Sequence, residues 1–333
     1  MPPSEWNILD FEKPISQLDE QLAQIRKLTQ ERGEDRSDDI AALEADRNRL
    51  LEEIFASLTP WDRTLLARHP KRPYTLDYAR IIFDDYTELY GDRLFADDHA
   101  MVGGIATLDG KQVMFVGQQK GRDLKERQHR NFGSAKPEGY RKAVRLMKLA
   151  AKFGRPVICF VDTPAADVSV GAEERGISEA IARSMMEMST LETPVVVVVL
   201  GEGGSGGAIG IAIGDRVLMQ EHAIYSVIPP EGCAAIIWKD ASRAKEAAEA
   251  LKITSDEALK LGLIDDIVPE PLGGAHRNVE VAARNLKSML VKHIEELEKI
   301  DRSQLPEMRY AKFKAMGAFS EPKKAKKAKA SEE

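Results

Sequence analysis

The stretch VVVVVLGEGGSGGAIG, Val195 to Gly210, decides how this chain is read. Val195 to Leu200 is an uninterrupted apolar, largely β-branched run of strand length. Glycines then crowd the chain, and a short apolar helix through Ile213 follows. A strand, a glycine turn and a helix in that order place the turn at the carboxyl end of a sheet, where α/β proteins bind ligands.

Three chemical patterns overlap in that turn. Gly201, Gly203 and Gly206 spell G-x-G-x-x-G, and Glu221 lies about twenty residues beyond the first glycine, where a dinucleotide site carries its acid. The helix that follows is short, apolar all round and ended by Gly214-Asp215, unlike the long amphipathic helix of a dinucleotide fold. A P-loop is excluded because no Lys-Ser/Thr pair follows Gly206. Gly203, Ser205 and Gly207 spell G-x-S-x-G, the serine-hydrolase elbow, and Asp265 or Asp266 followed by His276 gives the chain order of that fold. The elbow requires only two glycines. The surplus favours a third pattern, in which the backbone N–H groups of Gly206 and Gly207, at a helix start, face a developing oxyanion.

Outward from this turn the chain alternates strand, loop and helix. Val102 to Leu108 and Lys111 to Gly117 flank Asp109-Gly110, a dipeptide suited to a tight hairpin turn. Helices are expected over 138–153, stopped by Gly154, and from Ile177 to Met188 with its methionines in the core. Strands are expected at 157–161, 217–219, 223–228 and 263–268, and helices at 231–239, 242–260 and 278–299. Such alternation predicts an α/β domain with largely parallel pairing and loops gathered at one edge.

The first sixty residues differ. Ile15, Leu18, Leu22, Ile25 and Leu28 recur at helical spacing, as do Ile40, Leu43, Leu50, Leu51, Ile54 and Leu58, with the polar break ERGEDRSDD between them. An antiparallel helical hairpin with one apolar stripe per helix follows, suited to docking on a partner or on its own domain. The chain therefore divides into a hairpin over 1–60, an α/β domain over 61–300, and a segment over 301–333 whose end, KKAKKAKASEE, has a disordered composition.

Composition narrows the function. The 333 residues are 43% hydrophobic and carry a formal net charge of −6, which disfavours a nucleic-acid binder. No apolar run is long enough to cross a bilayer and the N-terminus lacks signal-peptide order, so a cytoplasmic protein is expected. Cys159 and Cys233, each in an apolar stretch, read as buried structural thiols and not as metal ligands. No metal ligand set is expected in this chain. Lys120, Arg122, Lys125, Arg127 and Arg130 form a basic segment after the hairpin, for which coenzyme A phosphates or an acidic partner surface are the expected contacts.

Longer motifs extend the pattern: GEGGSGGA at 201–208, YSVIPPEGCA at 225–234, EPLGGAHRN at 270–278, GAEERG at 171–176, RPYTLDY at 72–78 and NFGSAKPEGYRKA at 131–143. From LDFEKPI at 9–15 to the end of the last helix, the chain resembles the α subunit of bacterial acetyl-CoA carboxylase carboxyltransferase. The resemblance implies a crotonase-like fold of ββα units with a helical N-terminal extension. It also implies an α2β2 assembly with a zinc-bearing β subunit, working beside biotin carboxylase and the biotin carboxyl carrier protein. By the same resemblance no cofactor is expected to be bound covalently on this chain: carboxybiotin would arrive on the carrier, and its carboxyl group would pass to acetyl-CoA to give malonyl-CoA for fatty-acid synthesis. Two oxyanion holes are needed, one for the biotin ureido oxygen and one for the acetyl enolate. The resemblance assigns the first to the N–H groups of Gly206 and Gly207, with Gly204, Ser205 and Ala208 beside them and Ala165, Ala166 and Asp167 facing them; the basic segment adds Lys120 and Arg122 as candidate substrate contacts.

One loop departs from the family pattern. Where the family reads close to DTPGAYPGxGAEERG, this chain reads DTPAADVSVGAEERG, so Ala165, Asp167, Val168 and Ser169 replace glycine, tyrosine, proline and glycine, and Pro229 replaces a serine. Alanine at 165 is strained if that position is left-handed, and Asp167 brings negative charge toward a site for an anion. These changes leave a second reading open, a non-catalytic paralogue that serves as an assembly subunit.

Overall fold

The computed structural model describes residues 8–33 and 35–317, and the lysine-rich tail falls outside them. The chain opens with α1 (Lys13–Arg32) and α2 (Ser37–Ala56), the expected hairpin, with Gly33 left-handed at φ 68° where α1 stops. At its base Ile15, Leu51 and Phe55 pack with Leu66 of α3 (Pro60–Ala67), and Leu22 is also buried, while Leu18, Ile25, Leu28 and Leu43 stay half-buried. The helix α4 (Thr75–Ile82) then leads into the sheet.

Strands β1 (Asp85–Glu88), β2 (Met101–Leu108) and β3 (Lys111–Gln118) form an antiparallel meander. Asp109 and Gly110 between β2 and β3 both have positive φ, 48° and 75°, the geometry of a hairpin turn whose twist matches its strands. After α5 (Leu124–His129) and α6 (Pro137–Lys152) the sheet continues with β4 (Val157–Thr163), α7 (Val170–Glu174), α8 (Ile177–Ser189) and β5 (Val195–Gly204). Then come α9 (Ser205–Ile209), β6 (Arg216–Gln220), β7 (Ile224–Ser226), α10 (Pro230–Trp238), α11 (Ala244–Leu251), α12 (Ser255–Lys260), β8 (Asp266–Val268), α13 (Val279–Leu297) and α14 (Leu305–Lys314). The strand order is β1-β2-β3-β4-β5-β6-β8, parallel from β3 onward, with β7 pairing parallel to the far end of β5.

The valine run explains why the sheet sits in the middle. Val195, Val197 and Val199 point into a core shared with α6 and α8, and Val196, Val198 and Leu200 into one shared with α4 and α13. All six are fully buried, so neither face of β5 has room for a polar residue until Glu202.

Four details differ from the sequence expectation. β5 does not stop at Leu200: Glu202, Gly203 and Gly204 pair with Ile224, Tyr225 and Ser226 of β7, so the first glycines are strand, not loop. The single helix expected over 242–260 is two, because Lys252 turns left-handed at φ 55° and Thr254 bridges to Ile224. α13 does not close the chain. α14 follows it, and its fully buried Arg309 donates to both carboxylate oxygens of Asp215, at 3.0 and 2.8 Å. Cys159 is buried, with its thiol pKa pushed up by burial, whereas Cys233 is only half-buried.

Candidate functional site

The site lies where β4 and β5 run out. β5 passes through Gly203-Gly204 into α9 at Ser205, whose φ of 54° makes the sharp strand-to-helix turn. The surplus glycines have distinct jobs. A Cβ on Gly204 would sit 2.1 Å from the carbonyl oxygen of Pro164, and one on Gly207 would sit 2.4 and 2.5 Å from Ala165 C and Ala166 N. These two glycines therefore let the turn after β4 lie directly on the turn after β5. Only Gly206 looks onto open space, with Ile181 Cδ1 3.7 Å from its Cβ position. The expectation that both Gly206 and Gly207 are bare in order to admit a ligand is thus corrected at Gly207, where the absent side chain admits backbone.

The two ends of α9 are treated differently. At its carbonyl end, Gly207 O accepts from Gln118 Nε2 at 2.7 Å and from Tyr140 Oη at 3.0 Å, and Gly210 O accepts from Ser184 Oγ at 2.5 Å. At its amino end no side chain caps the helix, and among the described residues no acceptor takes the N–H of Gly206 or Gly207. The positive end of the short helix is therefore left with unspent donors beside the cleft.

The facing turn is ordered by its own side chains. Thr163 Oγ1 lies 2.6 Å from Ala165 O and 2.8 Å from Gly133 O. Ala165 is not among the described non-glycine residues with positive φ, so the strain conditionally expected there is absent. Asp167 turns its carboxylate toward Ser169, accepting from Ser169 N at 2.9 Å and Oγ at 3.0 Å, and Ser169 in turn caps α7. Its charge is engaged within its own turn. Val168 and Val170 point outward, 93% and 76% exposed.

The expected cations are engaged as well. Lys120 Nζ lies 2.8 Å from Asp162 Oδ1 and 2.7 Å from Glu202 Oε2. Burial would raise the Glu202 carboxyl, but the charges of Lys120 and then Arg68 outweigh it and hold the group below its usual range. Arg122 pairs with Asp77, donates to Pro70 O at 2.8 Å and lies over the Tyr74 ring; Arg130 donates to His99 O at 2.9 Å. A cavity of about 200 Å³ opens beside them, lined by Arg68, Tyr74, Lys120, Arg127, Phe132 and Glu202 among others. Gln118, Asp162 and Glu202, each a polar residue ending or interrupting an apolar strand, were the available signal for this part of the site, and the sequence reading did not use it.

The hydrolase pattern does not assemble. His276 Nε2 lies 2.9 Å from Glu12 Oε1 and its ring sits against His69, 4.1 Å between centroids and tilted by 37°, while Asp265 pairs with Lys312 and Asp266 with Lys292. Glu12, His69 and His276 present ligand atoms within 4.8 Å of one another. Arg277 Nε, 3.2 Å from the same Glu12 oxygen, and Lys71 N–H, donating to His69 Nδ1 at 3.2 Å, make this a clasp between the N-terminal segment and the core.

The fold is crotonase-like, shared with solved carboxyltransferase components that superpose on this mixed sheet. The 12S transcarboxylase with hydrolysed methylmalonyl-CoA bound superposes with a TM-score of 0.55 at 19% identity, over 69% of this chain and 43% of that one, so this chain spans less than half of that structure's chain. The β subunit of geranyl-CoA carboxylase from P. aeruginosa superposes with a TM-score of 0.52 at 13% identity, over 77% of this chain and 46% of that one.

Sequence comparison narrows the class. Residues 8–317 match the family described as acetyl co-enzyme A carboxylase carboxyltransferase-like. The acetyl-coenzyme A carboxylase carboxyl transferase subunit alpha of Methylococcus capsulatus is 52% identical over 96% of this chain and 99% of its own length. The subunit of the same name from Cyanothece sp. is 53% identical over 94% and 97%. The chain belongs to the family of acetyl-CoA carboxylase carboxyltransferase α subunits. Among the described residues no helix is long and apolar enough to cross a membrane.

Proposed function

We propose that this chain is the biotin-facing half of a two-subunit carboxyltransferase that moves the carboxyl group of carboxybiotin to acetyl-CoA, giving malonyl-CoA in the cytoplasm. One observation carries the assignment of the site: α9 has its carbonyl end tied down by Gln118, Tyr140 and Ser184 while the N–H groups of Gly206 and Gly207 are unclaimed. When the N–CO2 bond of carboxybiotin breaks, CO2 is released and negative charge collects on the ureido oxygen; the basic ring nitrogen takes a proton from the acetyl methyl group, and the resulting enolate carbon attacks the CO2 to form the new C–C bond of malonyl-CoA. Donors already fixed at that oxygen stabilise the charge without reorganising, and each donor of this kind contributes about 3 kcal/mol to lowering a barrier. The chain then needs no nucleophile or general base of its own, in keeping with the dispersal of Ser205, His276 and the two aspartates.

Gly204, Ser205 and Ala208 would line the ureido ring on one side and Ala165, Ala166 and Asp167 on the other. The second oxyanion hole, the acetyl-CoA contacts and a zinc site belong to the β subunit in this reading. The exposed Val168 and Val170 and the half-buried leucines and isoleucine of the α1–α2 hairpin, Leu18, Ile25, Leu28 and Leu43, offer apolar surface for an α2β2 assembly, with biotin carboxylase and the biotin carboxyl carrier protein completing the enzyme. Malonyl-CoA formation from carboxybiotin, measured with the chain alone, its β subunit alone and the two together, tests the proposal. Activity confined to the mixture is expected; a stable complex with no transfer would sink it in favour of a non-catalytic assembly subunit.

A further inference from the structure

The two turns of the site leave the sheet at a flaw in its pairing. β4 and β5 run in register from Val157 opposite Val195 to Val161 opposite Val199, and the next pair is Thr163 opposite Gly203, so the single intervening residue of β4, Asp162, stands opposite three of β5, Leu200, Gly201 and Glu202. Asp162 fills the step: its Oδ1 accepts the N–H of Glu202 at 3.0 Å in place of a backbone partner. Lys120 Nζ touches this carboxylate at 2.8 Å and Glu202 at 2.7 Å, closing the step from within. The backbone is shaped around it. Gly133, left-handed at φ +82°, leaves space for the lysine stem, whose Cγ would be 2.7 Å from a Cβ there, and Gly201 leaves space for Asp162 Oδ1, 2.8 Å from its Cβ position. The lysine side chain is 13% exposed, Asp162 2% and Glu202 11%.

We propose, on the carboxyltransferase reading above, that Lys120 is a positioning residue: by bridging Asp162 and Glu202 it fixes the Pro164–Ser169 turn against the Gly204–Gly207 turn, and so aims the Gly206 and Gly207 N–H groups. Its ammonium is turned toward two buried carboxylates, which makes it a poor contact for a substrate phosphate. Beyond the step the turns touch at Gly204 on Pro164 and at Gly207 on Ala165–Ala166, so a displacement at the step passes to both. Arg68 still pairs with Glu202, at 2.7 Å, when Lys120 is removed, but among the described residues Asp162 has no other ion-pair partner.

The test uses the full chain assembled with its β subunit, following carboxyl transfer from malonyl-CoA to free biotin. Lys120→Met is compared with Lys120→Met plus Asp162→Asn, in which asparagine keeps an oxygen for the Glu202 N–H and removes the unpaired charge. Lys120→Met is expected to lower kcat about 10²-fold, the scale of a misplacement near 1 Å, with KM for malonyl-CoA changed less than about twofold. The double variant is expected to recover at least about tenfold of that loss. Unchanged kcat in Lys120→Met overturns the proposal, and so does a double variant no better than the single, which would make Lys120 a direct substrate contact. If Lys120→Met alone fails to assemble, the double variant decides: kcat within about tenfold of the unmodified complex supports positioning, and a larger loss overturns it. An unmodified complex that transfers nothing overturns the carboxyltransferase reading instead.

Discussion

Two buried ion clusters sit near the carboxyl ends of the same parallel strands and differ in how they are sealed. Around Arg72 the guanidinium donates to Leu200 O at 2.8 Å, to Gln220 Oε1 at 2.9 Å and to both oxygens of Glu270, at 3.0 and 2.5 Å, with the two charged side chains 1% and 0% exposed. Around Lys120, two cations, Lys120 and Arg68, face three anions, Asp162, Glu202 and Glu231, and Glu231 at the end of the string is 40% exposed. The first cluster is balanced one to one and closed. The second has an excess of negative charge and opens onto the cavity beside the glycine turn. Burial and charge balance thus separate a scaffold pair from a group that borders the chemistry, though both would look alike as scattered charges in a sequence.

The comparison can be broken most forcefully at Arg72. Replacing it by methionine leaves Glu270 buried without a cation, and a loss of about 3–5 kcal/mol of unfolding free energy is expected in denaturant titration; a loss near zero would mean the cluster is not sealed. A second measurement is the acid limb of stability. Burial by itself would raise the Glu270 carboxyl, but the charge of Arg72 outweighs it and brings the group from the ordinary 4.5 to about 2. Glu12 is also held at about 2: burial opposes this, and His276 and Arg277 outweigh it. For acids with lowered native pKa values the stabilisation is complete above about pH 4.5 and is lost as pH falls toward about 2, because the unfolded chain takes up the proton first. Glu12→Gln should flatten part of that slope, and an unchanged slope would refute the clasp.

At the site itself, Gly207→Ala forces a Cβ into the Ala165–Ala166 backbone and should cost about 1–3 kcal/mol together with most of the transfer activity. Gly206→Ala has open space and should leave the melting temperature unchanged or slightly raised. Equal destabilisation by the two would show that the turns do not touch as described. The smallest expected effect is at Ser169→Ala, which removes the α7 cap and a partner of Asp167 for about 1 kcal/mol, read as a small shift in melting.

Much of the fold was legible because its signals are local. Alternate burial of the valine run on two faces, the Asp109-Gly110 turn, the hairpin stripe and the strand-turn-helix around Ser205 all follow from backbone periodicity and from where only glycine or a left-handed residue fits. The site was legible in part. Gly206 and Gly207 stood out as backbone donors, but the sequence did not tell that Gly204 and Gly207 serve packing or that Asp167 is held by Ser169.

What the sequence by itself determined is therefore the family, the order of elements and the glycine turn, since motif and period are properties of neighbouring residues. The tertiary structure alone decided that Lys120 meets Asp162 and Glu202, that Arg309 anchors α14 on Asp215, and that His276 reaches Glu12 and not Ser205. Charged side chains follow no period, and their partners lie tens to hundreds of residues away. Strand register and burial choose among them, because an ion removed from water must find a counter-ion where the fold has placed one.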